Sequence, residues 1–337
     1  MILLALALQA AAPQPGELRT FQDWTVGCDN GRYCQAVSLV PEGSDDGRSL
    51  SVRRNPAADA EPVFSFYRYD DEDLCGAQVS ADGRPLPVRI LEGPDCTIVH
   101  PADVPALLRA LRSAAQITVT AADGSDLGRV SLAGASAALL AMDEAQLRTG
   151  TVTALVRPGD RPASAVPVPP VVPEIRIAPF PRGETPSVDD ARIARLRRDI
   201  GCTVGDVGGP DEYRAVPLDE GKTLILLACG SGAYNVTWMP FVASAGQDGR
   251  TEIAPALFDA QWAQADGGRA ELINAEWDSG ARTISELSLG RGIGDCGTRS
   301  LYGWDGQRFR LLRQSAMGEC RGARDYITVW RTRVRGR

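Results

Sequence analysis

Eight cysteines constrain this chain more than any other feature: Cys28, Cys34, Cys75, Cys96, Cys202, Cys229, Cys296 and Cys320. Their number is even, and no two of them form a Cys-x-x-Cys pair. That pattern speaks against zinc and thiol redox motifs and for structural disulfides, which persist in oxidising compartments. A lone histidine, His100, leaves no His/Cys cluster for a metal. Between the fourth and fifth cysteines, residues 157–186 are dense in proline, the composition of an extended, semi-rigid connection. Bridges across it would defeat a two-domain layout, so pairing is expected within each half, where four cysteines allow only three arrangements. Nearest neighbours are expected to join: Cys28–Cys34, Cys75–Cys96, Cys202–Cys229 and Cys296–Cys320. Asn30-Gly31 supports the first bridge, because a hairpin centred on Gly31 sets Cys28 opposite Cys34.

At 337 residues the chain can fill two cores. The expected layout is a signal peptide over 1–14, a β-rich domain over 17–157, a proline-rich linker over 158–186 and a second β domain over 187–337. The opening MILLALALQAAA is apolar and ends in small residues, as a signal peptide does. It is too short to span a bilayer, and no later segment is long and apolar enough, so the chain is not expected to be membrane-spanning. The expected location is periplasmic or secreted. Net charge is −7, yet the eleven arginines and four acids from Arg291 onward give that end +7. A basic end attracts anionic partners.

Short alternating runs predict a mainly β, sandwich-like fold with a few short helices, in two domains. In the first half, strands are expected at 24–28, 34–38, 49–53, 63–69, 78–80, 86–91, 96–99, 116–121, 128–132 and 151–156. Asp-Gly turns at Asp46, Asp82 and Asp123 punctuate them. One helix is expected from Asp103 as its N-cap and another over 134–147. The run at 70–73, Asp-Asp-Glu-Asp, lacks the spacing of a calcium loop and reads as solvated. The second half opens on a helix with Ser187 as N-cap and Gly201 at its end. Strands follow at 212–217, 223–229, 233–241, 271–277, 282–289, 300–304, 308–313 and 326–334. Trp238, Trp277 and Trp304 alternate with apolar residues and are expected in the core.

Gly292-Ile293-Gly294-Asp295-Cys296-Gly297 fits the letters of a dinucleotide fingerprint. That motif needs a helix after it to hold a pyrophosphate. Here 298–312 reads as two strands around Asp305-Gly306, so the run is expected to be a connection with positive φ at several positions. No cofactor is expected.

Two resemblances emerge from longer motifs. Phe21-x-Asp23-Trp24-x-Val26-x-Cys28, and the passage VSLAGASAALLAMDEAQLRTGTVTALV, resemble invasion-associated locus B-like periplasmic proteins. KTLILLACGSGAYN, GRGIGDCG, Trp304-x-Gly306-x-x-Phe309-x-Leu311 and Glu319-Cys320-Arg321-Gly322 are similar to the bacterial family known as domain of unknown function 1176. This second resemblance spans nearly the whole mature chain. It implies secretion and a two-domain, β-rich layout, and it carries no activity.

No catalytic, cofactor or metal residues are expected. A nucleophilic triad could use only His100, which precedes Pro101 in a loop and is better suited to capping. The G-x-S-x-G elbow and the P-loop signature are both absent. Arg291 and Asp295 in the glycine run are expected to pin the loop by pairing with each other. If Cys296–Cys320 draws Arg321 alongside, the three become a possible contact surface, since arginine grips carboxylate or phosphate with two parallel hydrogen bonds. The expected function is a non-catalytic binding or interaction module at the cell envelope. Its expected partner is an anionic envelope component or an envelope protein, not nucleic acid. Two alternatives are an envelope-polymer hydrolase working through carboxylates and an inhibitor of a lysozyme-like enzyme. A cleft with converging acids would favour the hydrolase, a filled sandwich the binder.

Overall fold

The computed structural model describes residues 12–44, 47–67, 74–91, 96–202, 213–246, 250–263 and 268–335. The first eleven residues, Asp46 and the acidic run at 70–73 lie outside them. Strands β1 (Arg19–Phe21), β2 (Trp24–Cys28), β3 (Cys34–Ser38), β4 (Ser49–Arg54) and β5 (Pro62–Tyr67) form an antiparallel meander in chain order. Their alternation sends Trp24, Val26, Ala36, Leu50, Val52, Phe64 and Phe66 to one face, where all are buried. Facing them is a second sheet of β6 (Gln78–Ala81), β7 (Arg84–Pro85), β8 (Gln116–Thr120) and β9 (Asp126–Ser131), in the order β7-β6-β8-β9. Helices α1 (Val104–Ser113) and α2 (Ala135–Ala145) complete this core through Leu107, Leu111, Leu139 and Met142. The Trp24 indole Nε1 donates to the Ser131 carbonyl at 2.9 Å, tying β2 to β9.

Three expected strands of this half, 86–91, 96–99 and 151–156, are not formed. Over 86–91 only Ile90 keeps a bridge, to Val99, and Ile98 bridges Ser65. Pro85 and Pro87 remove the donors a ladder would need. The segment 151–156 is turns, with one bridge from Thr151 to Arg161. Its last two amides are taken by a buried carboxylate: Leu155 N and Val156 N donate to Asp143 Oδ2 at 2.7 and 3.1 Å. Asp103 stands before α1, but its carboxylate makes no cap there. It accepts instead from the Arg89 Nε at 2.8 Å, and that hydrogen bond holds its pKa down to about 2.

Part of the connection is itself structured: β10 (Glu174–Arg176) is a strand that the alternation did not reveal. α3 (Asp190–Ile200) then starts from Asp189, not Ser187. The Asp189 side chain accepts from Arg192 N at 2.8 Å, and Gly201 ends the helix in the left-handed region. β11 (Tyr213–Asp219), β12 (Lys222–Ser231), β13 (Val236–Ala245) and β14 (Thr251–Pro255) form one antiparallel sheet, with β15 (Leu272–Ile273) also on β13. β16 (Glu276–Asp278), β17 (Thr283–Leu289), β18 (Gly297–Trp304), β19 (Phe309–Met317) and β20 (Ile327–Arg331) form the other. The single strand expected over 271–277 is thus split between two sheets. Leu224, Leu226 and Trp238 from one sheet meet Ile284, Tyr302, Trp304, Phe309 and Leu311 from the other, making a filled sandwich. Trp238 and Trp304 are buried in it, and Trp277 packs on its border. α3 covers the outer face of the first sheet through Ile193. The last strand, β21 (Arg333–Arg335), pairs in parallel with β10.

All eight cysteines are bridged, as Cys28–Cys34, Cys75–Cys96, Cys202–Cys229 and Cys296–Cys320. The two halves are not separate beads. Val37 and Leu39 of the first share a buried cluster with Met317, Ile327 and Val329 of the second. Asn30 and Arg331 exchange two hydrogen bonds of 3.0 Å across this junction.

Candidate functional site

The outer face of the sheet β16 to β20, away from the sandwich core, is where polar chemistry collects. Strand alternation decides its members. Arg299 and Leu301 on β18 face outward because Ser300 and Tyr302 face inward. Register places Arg299 opposite Ser315, Leu301 opposite Arg313, and Arg313 opposite Arg331. At one end the linker covers this face, with Ile175 and Ile177 packed on Leu301 and Leu312. At the other the first half leans over it with Gln35 and Arg53, paired neighbours on β3 and β4. Between these covers lies an open groove made of two joined hollows. One of about 680 Å³ is lined by Arg299, Arg313, Ser315, Arg324 and Tyr326 among others. The second, about 520 Å³, is lined by Asp29, Tyr33, Arg53, Arg313 and Arg331, and Arg313, Asp325 and Tyr326 belong to both.

Most charges in the groove have work inside the fold. Asp29 is buried at the hairpin tip, where its Oδ1 accepts from Gly31 N at 2.7 Å and Tyr33 N at 2.9 Å. Its Oδ2 lies 2.6 Å from the Arg331 Nε. Burial pushes the Asp29 carboxyl up, against the pull of the Tyr33 amide and Arg331. Arg53 pairs with Asp325 at 2.6 Å and also donates to the Tyr67 hydroxyl at 2.6 Å. Glu286 accepts from Ile273 N at 3.2 Å and from the Tyr302 hydroxyl at 3.1 Å. Burial raises its carboxyl too, and no cation offsets it.

Arg299 and Arg313 differ. The Arg299 guanidinium stacks on the Tyr326 ring, 4.5 Å from its centroid. Arg313 donates from Nη2 to the Thr328 hydroxyl at 3.0 Å, and Thr328 is itself 3.2 Å from the Ser315 hydroxyl. Neither arginine forms an ion pair with a carboxylate among the described residues.

The residues singled out from the sequence are distributed differently. Asp295 is fully buried, and Arg291 grips it through Nε at 2.7 Å and through Nη2. Its Oδ2 also accepts from Gly322 N at 2.7 Å, so the carboxylate staples the glycine run to the loop beyond Cys320. Burial raises this carboxyl, but Arg291 and the Gly322 amide outweigh it and hold it below the ordinary range. Arg321 does not join them. It turns to the first half, paired with Asp23 and donating to the carbonyls of Val40 at 2.8 Å and Gln22 at 2.9 Å. The glycine run has positive φ at Gly294 and Gly297 only. Gly290 is required for another reason: a Cβ there would lie 2.6 Å from the Cys296 sulfur. His100 caps the short turn before α1, its Nδ1 accepting from Ala102 N at 3.2 Å. Arg299 and Arg313 escaped sequence reasoning. The signals available were the basic C-terminal end and their outward phase on strands β18 and β19.

The geometry defines a disulfide-bridged, mainly β protein with a filled sandwich and an open, arginine-lined groove. The chain belongs to the family described as protein of unknown function (DUF1176), whose pattern matches residues 18–333. It is 29% identical over 356 residues to the uncharacterized protein YpfG of Escherichia coli (strain K12), covering 98% of this chain and 96% of that one. Among solved structures it matches invasion associated protein B from Bartonella henselae over 39% of this chain and 99% of that chain, with 17% identity and a TM-score of 0.29. That likeness is too low to carry an argument about fold.

Proposed function

We propose that this protein is a non-catalytic binding module of the cell envelope, exported to the periplasm, whose ligand is anionic and enters the groove beneath Arg53. The carrying observation is the contrast between the groove's acids and its arginines. Asp29, Asp325 and Glu286 each have a partner inside the fold, whereas Arg299 and Arg313 are held by a ring and a hydroxyl and keep donors for a ligand. A carboxylate hydrolase needs two acids placed across a cleft; of the four acids that line this groove three are tied within the fold and only Glu276 stands exposed, which favours binding over hydrolysis. Four disulfides suit an oxidising compartment. No helix among the described residues is long and apolar enough to cross a membrane. Arg291 and Asp295 enter this reading as a staple of the glycine run, and Arg321 as a tie to the first half; none of the three lines the groove.

The test is capture from an envelope extract by the mature chain and by an Arg299→Glu, Arg313→Glu double variant. Both positions are exposed, so the variant should melt as the wild type does. Capture should fall at least tenfold. Equal capture by both proteins would overturn the reading.

A further inference from the structure

We infer that the ligand's anionic group is a phosphoryl group, seated between Arg299 and Arg313; this rests on the reading of the groove as a ligand site. Arg299 lies opposite Ser315 and Arg313 opposite Leu301, so the two arginines are diagonal neighbours on adjacent strands. Diagonal positions are about 7–8 Å apart, within reach of long side chains. Arg313 also lies directly opposite Arg331, and only Arg331 has a carboxylate, Asp29. Like charges side by side on a sheet are unfavourable. A dianion between Arg299 and Arg313 matches their two charges, whereas a single carboxylate offsets only one. A phosphate monoester carries a charge of about −1.5 to −2 at neutral pH and offers three acceptor oxygens.

Both guanidiniums are pre-organised for this. The Tyr326 side chain holds the Arg299 guanidinium, whose five N–H donors exceed what that one neighbour can take. Thr328, itself oriented by Ser315, takes one donor of Arg313. The remaining donors suit the two-point grip that arginine makes on phosphate. Ser285 is an exposed hydroxyl on the same face, one strand over from Leu301. Openness of the hollow fits a phosphate borne on something larger, either a sugar or a lipid headgroup.

The experiment is calorimetric titration of the oxidised mature chain, with phosphorus NMR of the same samples. The probes are inorganic phosphate, glucose 6-phosphate, phosphatidate vesicles and succinate. Saturable phosphate binding is expected, weakened at least tenfold in Arg299→Gln and in Arg313→Gln while near-ultraviolet dichroism stays unchanged. Tighter binding of glucose 6-phosphate than of phosphatidate assigns the source to a soluble or polymeric sugar phosphate, and the reverse assigns it to a headgroup. Succinate binding that needs both arginines, with phosphate inert, overturns the phosphoryl assignment and leaves the anionic groove standing. Phosphate binding indifferent to both substitutions also overturns it. If no probe engages the groove, both readings fall.

Discussion

Asp295 pairs with Arg291 as its place in the glycine run led one to expect, but its depth and its second donor were not legible there. In a glycine-rich run it has the look of a surface acid, yet it is fully buried and accepts from Arg291 and Gly322 N. Glu286 is the opposite kind of buried acid, hydrogen-bonded to Tyr302 and Ile273 N and raised by burial with no cation beside it. Its folded pKa exceeds its unfolded one. The fold therefore favours the protonated form: the group's stabilising influence is present below the unfolded value and lost as pH rises through the folded one. Glu286→Gln should raise the melting temperature at neutral pH. The gain should shrink as the buffer is taken down to about pH 4.3, the unperturbed glutamate value. Melting curves across that range check it, and a variant less stable at neutral pH would show the charged form to be the one the fold prefers.

At the level of elements, α3 offers the cleanest correction. Ser187 and Asp189 are both good N-cap residues by type. Only tertiary packing, with Ile193 set against Ile225, Leu227 and Phe241, fixes which one caps. Because the Asp189 carboxylate accepts from Arg192 N at 2.8 Å, Asp189→Ala should cost about 1 kcal/mol. Ser187→Ala, at an exposed position before the helix, should be neutral within about 0.5 kcal/mol. Denaturant titration separates the two, and the reverse ranking would put the cap back at Ser187. The segment 151–156 teaches a related lesson. Its alternation is that of a strand, but Leu155 N and Val156 N bond to Asp143 and most of its other amides close local turns.

Across the whole molecule, the proline-rich stretch leads one to expect two independent domains, while the junction binds the halves together. Val37 and Leu39 are buried against Ile327 and Val329, and Arg321 bridges to Asp23, Val40 and Gln22. Calorimetry of the intact chain should therefore show one cooperative transition. Arg321→Ala leaves the Val40 and Gln22 carbonyls and the Asp23 carboxylate without their donor. It should cost about 2–4 kcal/mol, within the range for losing a charge-assisted contact at a partly buried site. Two resolved transitions in the wild type would refute a shared folding unit.

The sequence by itself determined the features that local chemistry controls. Cysteine count and spacing led to the same four bridges that the structure contains. Alternation placed most strands of the sandwich, and the Asp305-Gly306 turn placed the hairpin between β18 and β19. Tertiary structure alone decided which charges meet. Arg321 lies 298 residues from Asp23, Arg53 lies 272 from Asp325, and Asn30 lies 301 from Arg331. No local pattern encodes such pairs. The groove and its two arginines without carboxylate partners exist only because two sheets and a linker strand, each specified locally, leave one polar face partly uncovered when they pack.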